Sequence, residues 1–510
     1  MHHRRSLTEL ERPRRDLRSR WPEWTVLSLY SAVVALAIPY HEPWADEAQA
    51  WQLARSLSLP ALFKTYIRYE GSPGLWHFLL WVLVHTHVSY TGLHWFCGLV
   101  SVAATALLVF GSPFPRYIRL TLPFTYFLIF QFAIVARSYV LVPIFLFLIA
   151  FCWKRSPLLL GLLLGMLANI ALHAAMISAG FAVVYAVSCL QGKMPGSGFS
   201  WRRQIEGLAI LLTLYAFAVW TVWPPHDQGF KASNGPLIVV VTLHFMELCR
   251  PWGLAIPFWV AIALCLQARR AQLYLLPLLL FALFSLVVHI AFWHAGLLFP
   301  LAICLLWITW PSRGTLAPRS EAMGSNALIA MAALQILWSA YALEFDHYHA
   351  YSPDLAASEF LQPFFREGAT IAVTYTADSG CHACFSVGLM PYFDDNIFIN
   401  QPNSFWWWST RNATERNFQQ ILPSHPSLVV VEAHPIHPDR PIDLQDEKIQ
   451  QVVREGYRFT NMFCGEMPEG FQLREKSCHL IFRRNKSAEP LLAHRANAHS
   501  RPTQFSLSSR

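Results

Sequence analysis

LLLGLLLGMLANIALHAAMISAGFAVVYAVSCL, residues 158–190, contains no Asp, Glu, Lys or Arg over its whole length. A bilayer core roughly 30 Å thick is crossed by about 20 helical residues, so this run is too long for one crossing and suits two. Its polar residues Asn169 and His173 fall near the middle, where a tight turn would stand. Two other stretches repeat the pattern. Leu120–Trp153 carries its one charge at Arg137, beside Ser138, and Leu273–Trp310 is interrupted by His289 and His294. Each reads as a helical hairpin with a polar tip.

Composition agrees. Hydrophobic residues make up 54% of the 510 and charged residues only 14%, where a soluble globular chain carries roughly 25% charged residues. The formal charge of +8 comes from basic clusters that alternate with apolar segments. A nucleic-acid binder would gather such charge on one face, so no nucleic-acid partner is expected. The arginine-rich first twenty residues read as the flank of a first span at Trp24–Pro39, with no cleavable signal peptide.

Basic residues also orient the hairpins, because Lys and Arg collect on the cytoplasmic side. Arg116/Arg119, Lys154/Arg155, Lys193/Arg202/Arg203, Arg269/Arg270 and Arg313/Arg319 all stand at open ends. The tips then face outward, as do the loop His41–Gly74 and the chain beyond Leu343. Leu75–Val84 and Leu237–Leu248 are short for spans and are read as interfacial segments, leaving about eleven crossings, or about thirteen if both cross. The expected fold class is a multi-pass α-helical membrane protein with a C-terminal extracytoplasmic α/β domain, set in the cell's inner membrane. Its parts are a basic cytoplasmic N-terminus (1–23), a transmembrane module (24–343) with first outer loop 41–74, an outer domain (344–483) and a disordered tail (484–510). Strands are expected at Thr370–Thr374, Leu428–Val431 and His479–Phe482.

Acidic residues are scarce from Leu75 to Leu343, where only Glu206, Asp227, Glu247 and Glu321 occur. The short first outer loop alone holds Glu42, Asp46, Glu47 and Glu70. Asp46 with Gln49 three residues on fits a capping box, and acids favour a helix N-terminus in any case. A capped helix start is also a rigid place to hold a catalytic carboxylate.

The Asp46-Glu47 pair after the first span, then Tyr69-Glu-Gly-Ser-Pro-Gly-Leu-Trp76, resembles the first outer loop of the GT-C membrane glycosyltransferases. That superfamily includes protein O-mannosyltransferases and lipid A aminoarabinose transferases. Ala136-Arg-Ser-Tyr139 is similar to an arginine-tyrosine motif in bacterial members. The resemblance implies transfer of a sugar from a polyprenyl-phosphate donor to a glycan, lipid or protein acceptor, usually with inversion, on the extracytoplasmic face. Such chemistry needs a carboxylate to accept the acceptor's proton and a cation to hold the departing phosphate. It also needs an apolar groove for the prenyl chain, which lipid-facing helices supply.

Asp46 is the expected base, with Glu47 as its partner or as the group that positions the acceptor. Arg137 is the expected phosphate ligand, its planar fork suiting phosphate oxygens, although a tip arginine also snorkels to headgroups. Glu70, His77, Tyr139, Asn169, His173 and Lys231 are further candidates for contacts to the donor. His289 and His294 rank below them. His41, Glu42, Asp46 and Glu47 offer metal donors, but no H-x-x-x-H spacing accompanies them, so no cofactor is expected and a divalent ion is the lesser expectation.

Cysteines 97, 152, 189, 249, 265 and 304 read as small apolar residues in helices. Cys381, Cys384, Cys464 and Cys478 suggest disulfides outside the cytoplasm, with the pairing open. Trp406-Trp-Trp408 reads as a membrane-interface anchor. The alternative function is a multi-pass lipid or polysaccharide transporter or flippase. Transporters favour ionisable groups near the midplane and internal repeats, whereas the polar residues here crowd one edge and no repeat is evident.

Overall fold

The structure is a computed structural model that describes residues 20–153, 155–191, 201–228, 245–288, 291–311, 318–376, 385–406, 408–409, 414–435, 441–469 and 472–485. Lys231, His289, Cys381 and Cys384 lie outside the described residues, as does most of Leu237–Leu248. The described residues are 68% helical. It forms two compact units, one comprising Met1–Tyr351, Phe405–Asn412 and Pro468–Gln472, the other Ser352–Ser404, Ala413–Met467 and Leu473–Arg510.

The longer helices of the first unit are α1 (Trp21–Ala37), α2 (Ala45–Ser56), α3 (Leu75–His85), α4 (Tyr90–Gly111), α5 (Leu141–Cys152), α6 (Pro157–Ala168), α7 (Leu172–Leu190) and α8 (Trp201–Val222). They continue as α9 (Ala255–Ala268), α10 (Leu276–Phe284), α11 (Leu298–Thr309) and α12 (Pro318–Tyr348). Among the described residues six helical stretches are long and apolar enough to cross a membrane: Trp21–Tyr40, Tyr90–Gly111, Leu172–Leu190, Trp201–Val222, Phe292–Thr309 and Arg319–Tyr348. Shorter apolar helices accompany them, α3 and α6 included. Leu298–Ile308 is buried along its whole length, as an inner helix that is apolar all round should be.

The stretch at residues 158–190 is a hairpin, α6 and α7, turning at Asn169–Ala171. Leu120–Trp153 is not the regular pair expected. Only its second leg, α5, is a sustained helix; the first leg is a series of short turns. Pro123 starts the irregularity by removing a backbone donor. The broken backbone from Thr125 to Ser138 is buried throughout, a setting in which irregular chain is tolerated at membrane depth.

Small residues let α6 and α8 touch. A Cβ added to Gly161 would stand 2.0 Å from the carbonyl oxygen of Gly207, and one on Gly165 would stand 2.5 Å from Leu214. This is the small-xxx-small contact of helices packed closely in lipid. Gly161→Ala should therefore destabilise the solubilised protein by about 1–3 kcal/mol, because backbone rather than a flexible side chain must give way. Thermal melting in detergent checks it. Gly253→Ala, with no atom within 4 Å of the added carbon, is the matched control and should melt as wild type.

The second unit is a small α/β domain. Its sheet has strand order β1-β2-β4-β3, formed by β1 (Ile371–Tyr375), β2 (Leu428–Ala433), β3 (Tyr457–Glu469) and β4 (Gln472–Arg484). β1 and β2 run parallel with Ile371 opposite Leu428, and β2 and β4 run antiparallel with Val430 opposite Ile481. Side chains alternate between two cores, as the two-residue strand period requires. Ile371, Val373 and Val430 face Ala357 and Leu361 of the helix Asp354–Arg366. Ala372, Val429 and Val431 pack with Phe418, Ile449 and Val452 on the other side. β3 was not expected from sequence; Cys464 in it is joined to Cys478 in β4 by a disulfide. That bond excludes a zinc site built from all four outer cysteines.

Glu432 of β2 is wholly buried. Burial pushes its carboxyl up to about 7; His479 and Ser386 moderate the rise and Asp354 adds to it. The folded unit therefore holds a proton that the unfolded chain releases near the ordinary glutamate value of 4.5. More protons bound when folded means stability that falls as pH rises from there to about 7, by a total of about 3 kcal/mol. Glu432→Gln should flatten that decline, as read by pulse proteolysis in urea at about pH 5 and about pH 8.

Candidate active site

The site is built on the start of α2. Trp44 is the residue that caps it, and Glu47 rather than Gln49 completes the box, its Oε1 accepting the Trp44 backbone N–H at 2.9 Å. The capping box expected between Asp46 and Gln49 thus stands two residues earlier, between Trp44 and Glu47. Successive helical residues diverge by roughly 100°. Asp46 and Glu47 consequently point to different surroundings.

Asp46 lies on the wall of a cavity of about 230 Å³, shared with Glu70, His77, Arg137 and Tyr139. Its Oδ2 accepts a hydrogen bond from Arg137 Nη2. The pair is asymmetric, for the Asp46 side chain is 55% exposed and that of Arg137 only 7%. The guanidinium carbon sits 4.8 Å from the ring centre of Trp44 and 4.1 Å from that of Trp293. Two indole faces attract the cation and fix its plane, so the fork presents its donors in one direction.

Glu47 is 1% exposed and takes no part in the cavity wall. Its Oε2 accepts from the Ala136 backbone N–H at 2.6 Å and contacts His94 Nε2 at 3.0 Å. Burial works against its charge, but the neighbouring His41 and His94 outweigh that and hold the carboxyl well below its ordinary range. His41 is likewise opposed by burial, yet Asp346 and Glu47 lift it to about 10. Glu47, expected as the partner of Asp46 or as the group that positions an acceptor, faces away from the cavity and anchors the backbone next to Arg137.

Glu70 is half-buried, and its Oε1 accepts from Gln49 Nε2 at 2.9 Å. Loss of solvent pushes its carboxyl up to about 8; Gln49 moderates this and the charge of Asp46 adds to it. Glu70 thus keeps its proton at neutral pH and can donate a hydrogen bond into the cavity. Gln49 also bonds both backbone groups of Trp406, the N–H at 2.8 Å, and Trp408 lines the cavity. The tryptophan segment, read from sequence as an interface anchor, therefore contributes to the site wall.

His294 links the remaining pieces. Its Nδ1 accepts from the Ala291 backbone N–H at 2.8 Å, which leaves the ring proton on Nε2, 2.7 Å from the Tyr139 hydroxyl. That nitrogen donates to Tyr139 oxygen, so the tyrosine O–H is left to donate elsewhere on the cavity side. His173 stacks on His294 at 4.1 Å and is 4% exposed, behind the wall rather than on it. Asn169 is not a ligand either: its Nδ2 donates to the carbonyls of Gly165 at 2.8 Å and Leu214 at 2.9 Å, tying the hairpin turn to α8. His77 is 2% exposed, lines the cavity, and neither ring nitrogen has a hydrogen-bond partner among the described residues.

Sequence reasoning missed Gln49, Ser72, Trp76, Trp293 and Trp408, and ranked His294 too low. Nothing local marks them, because they join the site through folding from separate segments. Comparison with protein-family models, curated proteins and solved structures found no match to this chain.

Proposed function

We propose that this protein is a membrane glycosyltransferase that moves a sugar from a polyprenyl-phosphate donor to an acceptor on the extracytoplasmic face. One observation carries the reading: a half-exposed carboxylate, Asp46, and a buried, plane-locked guanidinium, Arg137, meet on the wall of one cavity. In the reaction the acceptor hydroxyl oxygen attacks the anomeric carbon and the bond from that carbon to the phosphate oxygen breaks. The hydroxyl proton passes to Asp46. The bonding pair leaves with the phosphate, whose charge Arg137 stabilises. An incoming phosphate competes with Asp46 for the guanidinium, so binding of the donor releases the base for its task. The Tyr139 hydroxyl and protonated Glu70 supply donors to phosphate or sugar oxygens.

The eleven-span topology with an outer C-terminal domain belongs to the same proposal, since it puts the loop bearing Asp46 on the outer side. A reporter fused after Leu343 and active only in the cytoplasm would overturn it. The activity itself is tested by supplying the purified protein with a panel of polyprenyl-phosphate sugars and separating the products. Transfer from one donor is expected. A folded protein that leaves every glycosyl phosphate intact, with any acceptor extract, removes the reading.

A further inference from the structure

Beneath the cavity three side chains from three segments converge. His41 follows the first span, Glu47 lies in the first turn of α2, and His94 lies near the start of α4. One ring nitrogen from each histidine and one carboxylate oxygen all lie within 4.8 Å of one another, and all three residues are buried. We infer that His41, Glu47 and His94 bind a divalent transition-metal ion of the zinc class, as a structural tie under the site.

The spacing suits such an ion. His41 Nε2 stands 3.5 Å from Glu47 Oε1, and His94 Nε2 stands 3.0 Å from Glu47 Oε2. Ligands about 2.1 Å from a tetrahedral ion are about 3.4 Å apart, so only small shifts are needed. A second observation points the same way. His41 Nε2 is buried and makes no hydrogen bond, while Nδ1 lies 3.1 Å from both carboxylate oxygens of Asp346. Asp346 accepts the Nδ1–H hydrogen bond, which turns Nε2 toward Glu47, where an ion would take the place of its proton. Carboxylate–imidazole–metal series of this kind orient metal-binding histidines generally.

Glu47 has capacity to spare. A carboxylate offers about four lone-pair directions, and the backbone groups of Trp44 and Ala136 take two. Two imidazoles and a carboxylate favour zinc and its first-row neighbours over magnesium or calcium, and leave one position for water. The ion would lock Glu47, and through Ala136 the backbone next to Arg137. This inference does not depend on the proposed transfer reaction.

Full-length protein carrying a histidine-free affinity tag is purified in detergent, assayed for bound metal, stripped with EDTA and titrated with Co²⁺. One zinc per chain as isolated is expected, or one equivalent of Co²⁺ with the strong visible bands of a four-coordinate site, displaced by Zn²⁺. The thiolate charge-transfer band that a cysteine site adds should be missing. His41→Gln and His94→Gln should each weaken binding by at least about 100-fold, and Asp346→Asn by about 10- to 100-fold. Wild-type protein that stays monodisperse yet shows neither bound metal nor saturable binding overturns the inference. So does unchanged affinity in the His41→Gln/His94→Gln double variant, or a thiolate signature in the wild type. If the variants aggregate, the wild-type stoichiometry and spectrum still decide.

Discussion

Asp46→Asn should lower sugar transfer by about 10²- to 10⁴-fold through kcat, while the donor still binds. Asparagine keeps the shape of the side chain and its place in the first turn of α2, but its amide cannot take up the acceptor's proton. It also removes the charge that opposes donor binding, because Asp46 is the group paired with Arg137. KM for the glycosyl phosphate should accordingly hold steady or fall as kcat drops. That split separates a lost base from a damaged binding site, which would raise KM. Since the Asp46 side chain is 55% exposed, its replacement should leave the melting temperature almost unchanged. Undiminished turnover in a folded Asp46→Asn protein would end the assignment.

Arg137→Lys is expected to be nearly as damaging as Arg137→Ala, with kcat/KM reduced by about 10²- to 10³-fold. The two cations differ in shape. The guanidinium is held between the Trp44 and Trp293 rings and offers its donors as a flat fork. An ammonium is a compact charge with no plane to clamp, and it cannot grip two phosphate oxygens side by side. Steady-state kinetics with a truncated, water-dispersible glycosyl phosphate measures the effect. Activity of Arg137→Lys within a few-fold of wild type would mean that a general positive potential suffices. For a flippase, the rival class, the same substitution changes lipid movement while no glycosidic bond is broken in any variant.

The membrane architecture was legible because long uncharged runs have one main physical use. Residues 158–190 form a hairpin whose turn falls where Asn169 stands. The first leg of Leu120–Trp153 was not legible, since hydropathy records where a chain is dry and not whether its backbone stays helical. β3 escaped notice because Tyr457–Glu469 mixes polar and apolar residues as an outer strand of the sheet does. At the site, Asp46, Arg137 and Glu70 stood out through their rarity among apolar neighbours. The different settings of Asp46 and Glu47 were not legible because adjacent acids look equivalent in sequence, whereas helix geometry sends one outward and one inward. The triad of His41, Glu47 and His94 follows no local spacing rule. Its members come together only when the residues that follow α1, the start of α2 and the start of α4 are packed.

The wall contributed by Trp408 carries a consequence for biogenesis. Phe405–Asn412 belongs with the first unit although the chain on both sides of it belongs to the second. A ribosome that has released every apolar helix of the first unit has still not made the stretch that completes the cavity wall. Trp408 is made only after Ser352–Ser404, the first segment of the second unit, so a nascent fragment ending at Tyr351 would carry Asp46 and Arg137 without that part of the cavity wall.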